Sequence, residues 1–255
     1  MIEKFLNKAA GSLQPALYVV ATPIGNLADI TLRALAVLGR ADLVCAEDTR
    51  VTAQLLAAYG IQAKLMSVRE HNEQQMADKV VAALSDGLIV AQVSDAGTPA
   101  VCDPGARLAA RVRGAGFNVV PVVGASAVMA ALSGAGVSES DFYFNGFLPP
   151  KSGERRKLFE RWSEADYPVV MFETPHRIGA ALADMAAVFP QRRLTLAREL
   201  WQGLGEADLD RFMQQITEAC HTAGAALVPQ SELSVLLIDD EGNIRYTYPQ
   251  DFFQR

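Results

Sequence analysis

One phrase recurs through the first half of this sequence and limits the folds open to it: an apolar run of strand length, a loop of small residues, then an amphipathic stretch. "ALYVVATP" is followed by "DITLRALAVLG", "ADLVCAEDTR" by "VTAQLLAAYG", and "KLMSVRE" by "NEQQMADKVVAALSDG". "LIVAQVSD" then leads into "GARLAARVRGAG", and "NVVPVV" into "SAVMAALSGAG". Strands that are apolar on both sides and separated by helices belong to a parallel sheet covered on both faces. The expected fold is therefore α/β, with a doubly wound, mostly parallel sheet at the N-terminus. Local chemistry supports the helix bounds: Asp29 or Thr31 caps the first of these helices, Gly39 stops it, and Ser126 caps the last.

The pattern changes after about Val137. "DFYFNGFLPP" is aromatic and ends in a double proline, "KSGERRKLFERW" starts a charged helix, and "PVVMFETPHR" runs from strand into loop. "IGAALADMAAVFP" and "LDRFMQQITEACHTAG" read as helices, "RRLTLAREL" and "ELSVLLIDD" as strands. For a chain of 255 residues this gives two α/β domains, 1–134 and 135–255, the second with a mixed sheet. Three scattered cysteines, Cys45, Cys102 and Cys220, suit neither a disulfide framework nor a zinc site, so no metal is expected. No apolar run spans a bilayer and the N-terminus lacks a secretory pattern, which points to the cytoplasm and to no membrane partner. The net charge of −6 argues against a generally basic nucleic-acid binder, but leaves room for a local basic patch.

Four loops fall at strand ends: "ATPIGNL", "AEDTR", "VSDAGTP" and "VVGASA". Glycine there permits close approach of a ligand to backbone, and proline stiffens the turn. Asp95 can accept from hydroxyl or ammonium donors, and the helix start at Ser126 can receive a carboxylate. No G-x-G-x-x-G follows the first strand, and neither a phosphate-loop motif nor a G-x-S-x-G elbow occurs. The loops indicate a ligand site, and any one of them also serves as an ordinary turn.

"YVVATPIGNLADIT", "AEDTR", "VSDAGTPAVCDPG", "VVGASA", "GFLPP" and "FETPHR", in that order, closely resemble the small-subunit ribosomal RNA 2′-O-ribose methyltransferases of the tetrapyrrole methylase superfamily, the class III S-adenosylmethionine-dependent methyltransferases. The resemblance runs from about Ala16 to Glu199. It implies S-adenosylmethionine bound in a cleft between two α/β domains, a homodimer, and a cytidine ribose of small-subunit rRNA as substrate. Carried over residue by residue, it implies cofactor contacts from Pro23 and Gly25, from Asp95, Gly97 and Thr98, from Ser126 and Ala127, and from Phe172. The chain departs from the family after "ARE", where "LWQGLGEADL" replaces the expected Thr-Lys, and it ends at "NIRYTYPQDFFQR". Those departures bear on the last strands' cofactor contacts and on RNA docking.

Methyl transfer to a ribose hydroxyl needs an aligned methyl group and a base to take the proton. Glu47, Asp48, Glu173 and His176 are the candidate bases, with Arg50 to hold a phosphate or carboxylate. Asp48 can equally pair with Arg50 or cap the next helix, and His176 can be an idle residue in a first helical turn after Thr174-Pro175. Lys151, Arg155 and Arg156 form a basic run beside "GFLPP" that reads either as a phosphate patch, extended by Arg192 and Arg193, or as a solvated helix face. Two other functions stay open: a methyltransferase acting on a small molecule such as a tetrapyrrole, and a non-catalytic dimeric binding protein.

Overall fold

A computed structural model describes residues 2–135, 140–174 and 176–189, with Leu194, Ala197 and the backbone of three short strands, 198–200, 236–238 and 244–246. The chain divides into two compact units, Met1–Ser126 and Ala127–Arg255, a division ahead of the one expected after residue 134.

The first unit opens with helix α1 (Ile2–Gly11), which the strand-helix phrasing of the sequence does not announce and which buries none of its residues. Strands β1 (Leu17–Val20), β2 (Leu43–Ala46), β3 (Leu65–Ser67), β4 (Val90–Gln92) and β5 (Val119–Val122) follow. They form one parallel sheet in the order β3-β2-β4-β1-β5. Successive residues of a strand face opposite sides, and both sides are apolar. Tyr18, Val44 and Val93 pack with helices α2 (Leu32–Leu38) and α3 (Thr49–Ala58) through Val37, Leu38 and Leu56. Leu17, Cys45 and Val90 pack with α4 (Glu73–Ser85) and α5 (Ala106–Gly114) through Val80, Leu84, Leu108 and Val112. Thr31, not Asp29, caps α2, accepting the Ala34 N–H at 3.1 Å.

This order fixes where the chain diverges. From β2 the chain moves outward to β3 on the α3 side. From β4 it crosses to β5 on the α5 side. The carboxyl ends of β2 and β4 are therefore neighbours whose loops depart in opposite directions, the switch point at which open α/β sheets hold ligands.

The loop after β4 runs from Ser94 to Gly105 and is anchored at its far end by a buried carboxylate. Glu73, the first residue of α4, accepts the Gly105 and Leu108 N–H groups, each at 2.9 Å. It does for α5 what an N-cap side chain does, accepting from the first N–H groups of the helix. Gly105 has φ +133°, and a Cβ there would lie 1.4 Å from Gln92 Nε2.

In the second unit, β6 (Tyr143–Phe147) runs parallel to β7 (Val169–Phe172). Helices α7 (Ser152–Trp162) and α8 (Ile178–Val188) build a core from Leu158, Phe159, Trp162, Ile178, Leu182 and Met185, with Leu148, and Val169 and Met171 of β7 pack against it. Helix α6 (Ala127–Gly134) also belongs to this unit. Strands β8 (Arg198–Leu200), β9 (Leu236–Ile238) and β10 (Ile244–Tyr246) form a separate antiparallel sheet in the order β8-β10-β9. The parallel and antiparallel pairings expected of one mixed sheet are thus found in two small sheets. Arg192, Arg193, Pro175, Cys220 and the helix expected over "LDRFMQQITEACHTAG" lie outside the described residues.

Gly105→Ala tests the anchor. It combines a left-handed backbone with overpacking against Gln92, and is expected to cost about 3 kcal/mol or more in urea unfolding.

Candidate functional site

The small-residue loops at the strand ends are tied together by the loop after β4. Thr22 and Gly97 exchange backbone hydrogen bonds, N–H to O distances being 2.8 and 3.2 Å, which joins the β1 and β4 loops. The Thr98 hydroxyl donates to the Ala125 carbonyl at 2.9 Å and joins the β4 and β5 loops. The Asp48 N–H donates to Asp95 Oδ1 at 3.0 Å and joins the β2 and β4 loops across the switch point. Gly97, at φ +75°, has room for no side chain without pressing on Ile24, since a Cβ would stand 3.2 Å from its Cγ2. Ala100, at φ +65°, is the one described non-glycine residue in the left-handed region, a strained turn inside this same loop.

Of the residues that the resemblance assigns to the cofactor, Pro23, Gly25, Asp95, Gly97, Thr98 and Ser126 are on these linked loops of the first unit. Pro23 and Gly97 are buried, whereas Gly25, Asp95 and Thr98 are exposed. Ala127 opens α6 and Phe172 ends β7, both in the second unit.

The switch point is electrostatically strained. Burial raises the pKa of Glu47, at the end of β2, to about 7, and the nearby Asp103 and Asp95 carboxylates add to the rise. Asp95, exposed as a residue, is raised mainly by partial desolvation of its carboxyl group, although the Asp48 N–H lowers it. Asp103 is raised by burial and by Asp95, against the Ser94 hydroxyl. Arg69 offsets part of this field at Glu47 and Asp95, while its guanidinium is turned to the Glu47 carbonyl at 3.3 Å. Carboxylates gathered so that Asp95 raises Asp103, and both raise Glu47, make a place that favours positive charge. Asp103 was not singled out in the sequence. The signal was the length of its loop, which returns the second aspartate of "SDAGTPAVCDPG" to the same strand end.

Asp48 and Arg50 are occupied with each other. Arg50 meets both Asp48 carboxylate oxygens, at 2.5 to 3.2 Å, and Asp48 caps α3 by accepting the Arg50 N–H at 2.8 Å. These bonds hold Asp48 well below the usual carboxylate range. Glu173 is buried, pairs with Arg177 at 2.6 Å and accepts the Thr174 N–H at 2.8 Å, leaving its Oε2 without a partner. Burial still raises its pKa against both arginines near it, Arg177 and Arg155. His176 is exposed just before α8.

The basic run resolves into two kinds of residue. Arg155, expected to face phosphate, is only 3% exposed. Its guanidinium binds Asp184 at 2.7 Å and the Pro149 and Pro150 carbonyls at 3.1 and 2.7 Å, which fastens the β6–α7 connection to α8. Arg156 binds the same aspartate at 2.7 Å from a half-exposed position, and Lys151 pairs with Glu154 at 3.3 Å on the surface. A guanidinium so enclosed is structural, and the solvent-facing charge falls to Lys151, Arg156, Lys157 and Arg161.

Comparison with known proteins gives the geometry a family context. The profile of the Tetrapyrrole (Corrin/Porphyrin) Methylases matches residues 16–200. A Neisseria meningitidis serogroup B protein named ribosomal RNA small subunit methyltransferase I is 78% identical over 78% of this chain and 69% of its own length. A serogroup A protein of the same name is 68% identical over 93% of this chain and 80% of its own. Among solved structures, a conserved hypothetical protein from Aeropyrum pernix K1 has a TM-score of 0.52 at 19% identity, covering 83% of this chain and 68% of that one, a likeness of fold.

Two variants test these assignments. Arg155→Ala strands Asp184 in a buried site and is expected to destabilise the fold by about 3–5 kcal/mol in urea unfolding. Glu47 has a folded-state pKa above its ordinary 4.5. The folded chain therefore keeps a proton that the unfolded chain releases, and this group lowers stability as pH rises from about 4.5 to about 7. Glu47→Gln is expected to raise the melting temperature at pH 8 by about 2–4 °C, and to leave it unchanged at pH 4.

Proposed function

The chain belongs to the tetrapyrrole methylase family, and we propose that within it the protein transfers a methyl group from S-adenosylmethionine to the 2′-hydroxyl of a cytidine ribose in small-subunit rRNA. The names shared by relatives at 78% and 68% identity favour RNA over a tetrapyrrole substrate. The single observation that carries the cofactor assignment is the cluster of Glu47, Asp95 and Asp103 at the switch point. It is partly desolvated and only partly offset by Arg69, the chemistry that a sulfonium and an α-ammonium group would satisfy. The resident cofactor would supply an electrophilic methyl group on a positively charged sulfur.

In this reading the linked loops serve as a rigid cradle. Pro23, Gly25, Gly97 and Thr98 offer backbone and a hydroxyl, and Asp95 offers a charged acceptor, already oriented by the Asp48 N–H. Ser126, at the start of α6, offers a helix N-terminus to a carboxylate. Positioning of this kind supplies much of the rate of a displacement reaction. Glu47 takes the role of proton acceptor from Asp48, because a carboxylate titrating near 7 is poised as a base and one tied to an arginine is not. Asp48 and Arg50 act as supports of the β2 loop. The reading brings with it a cytoplasmic location and the homodimer that the resemblance implies.

The deciding measurement is transfer of labelled methyl to small ribosomal subunits from cells lacking this gene, followed by nucleoside mapping. A 2′-O-methylated cytidine is expected, and transfer only to a small molecule would overturn the reading. Asp95→Asn keeps an acceptor for the Asp48 N–H and removes the charge, so S-adenosylmethionine affinity by calorimetry should fall about 10- to 100-fold with little change in melting temperature. Glu47→Gln should lower kcat by about 10²-fold or more and abolish the rise of rate with pH through about 7.

A further inference from the structure

Strand β6 carries an irregularity that aims an aromatic ring away from the core. Tyr143 pairs with Val169 and Phe144 with Val170, but the next pair is Phe147 with Phe172. Three steps along β6 are thus matched to two along β7, which places one extra residue at Asn145–Gly146, where Gly146 has φ +75°. In a regular strand Phe147, three residues after Phe144, would lie on the opposite face from it. That is the face on which Val169 and Met171 meet the core of α7 and α8. The bulge returns Phe147 to the side of Phe144. There both rings meet Phe172 edge-on, with centroids 5.0 Å away for Phe144 and 5.4 Å for Phe147.

The result is a three-ring cluster whose outer member is open. Phe147 is 43% exposed, while Leu148 beside it is 2% exposed and fills the core. Packing alone does not call for this arrangement, since the glycine bulge weakens the strand and leaves a phenyl ring in water. The connection from Phe147 to α7 is only Leu148-Pro149-Pro150-Lys151, held by Arg155 and, through the Leu148 carbonyl, by Arg177. It leads directly to the exposed cations Lys151, Arg156, Lys157 and Arg161. Among the described residues Lys157 and Arg161 make no ion pair.

We propose that Phe147, backed by Phe144 and Phe172, is a stacking platform for an unpaired base of the RNA substrate, with the solvent-facing cations of α7 holding the adjoining phosphates. The proposal rests on the RNA reading given above. An aromatic face joined to a positive flank is the combination that single-stranded RNA requires, and an apolar protein partner would not use the charge. Phe172, which the resemblance assigns to the cofactor, is the inner ring of the same cluster.

The test compares wild type, Phe147→Leu and Phe147→Tyr for binding to a fluorescently labelled single-stranded cytidine-rich RNA and to small subunits lacking the modification. Calorimetry with S-adenosylmethionine and thermal melting accompany both. Phe147→Leu keeps apolar bulk and removes the ring, so RNA affinity should fall about 10- to 100-fold while cofactor affinity and melting temperature stay close to wild type. Phe147→Tyr should remain within about threefold of wild type for RNA, because it keeps the ring. RNA binding by Phe147→Leu equal to wild type would overturn the platform and leave the RNA reading intact. A parallel loss of cofactor and RNA affinity would instead make Phe147 part of the cofactor wall and also overturn it. Wild-type protein that binds neither RNA would overturn the RNA reading and the platform together.

Discussion

A buried carboxylate holds the working end of the first unit in place. Glu73 gathers the N–H groups of Gly105 and Leu108, closes the N-terminus of α5 and fixes the far end of the loop that begins at Ser94. That loop in turn bonds to the β1, β2 and β5 loops through Gly97, Asp95 and Thr98. A glycine at 105 is demanded twice, by its φ of +133° and by the Gln92 amide beneath it. These loops are therefore held by backbone geometry and a few charged acceptors, with little reliance on large side chains.

The two units use charge in opposite ways. At the switch point of the first, Asp95 raises the pKa of Asp103 and both raise that of Glu47, a free-energy cost that a cationic ligand would offset. In the second, Asp184 is surrounded by Arg155, Arg156 and the Ser152 hydroxyl, and Glu173 by Arg177 and the Thr174 N–H. These pairings join α7 to α8 and fasten the loop before α8. Carboxylates are only partly offset on the first unit, by Arg69, and are paired with arginines inside the second.

Much of the fold was legible because it rests on short-range rules. The β1–β5 runs are apolar on both faces, and Thr31 starts α2 because its hydroxyl can cap the first turn. Helix α1 was missed because it follows no strand and buries nothing, so the strand-helix phrase does not mark it. The candidate site was legible as loops, by their small residues, but its charges were not. Asp48 looked as eligible as Glu47 until the Arg50 fork was seen, and Arg155 looked like a surface cation until Asp184 and two proline carbonyls enclosed it.

By itself the sequence determined the parallel α/β character of the first unit, the loops that carry the site and, through ordered motifs, the family. Periodicity, turn chemistry and capping act over a few residues, and all of them can be read along the chain. Only the tertiary structure decided that β2 and β4 are neighbours, that Asp103 returns to Asp95, and that a one-residue bulge turns Phe147 outward. A pKa, an ion pair and the face of a strand depend on which distant residue arrives alongside, and that is settled by packing.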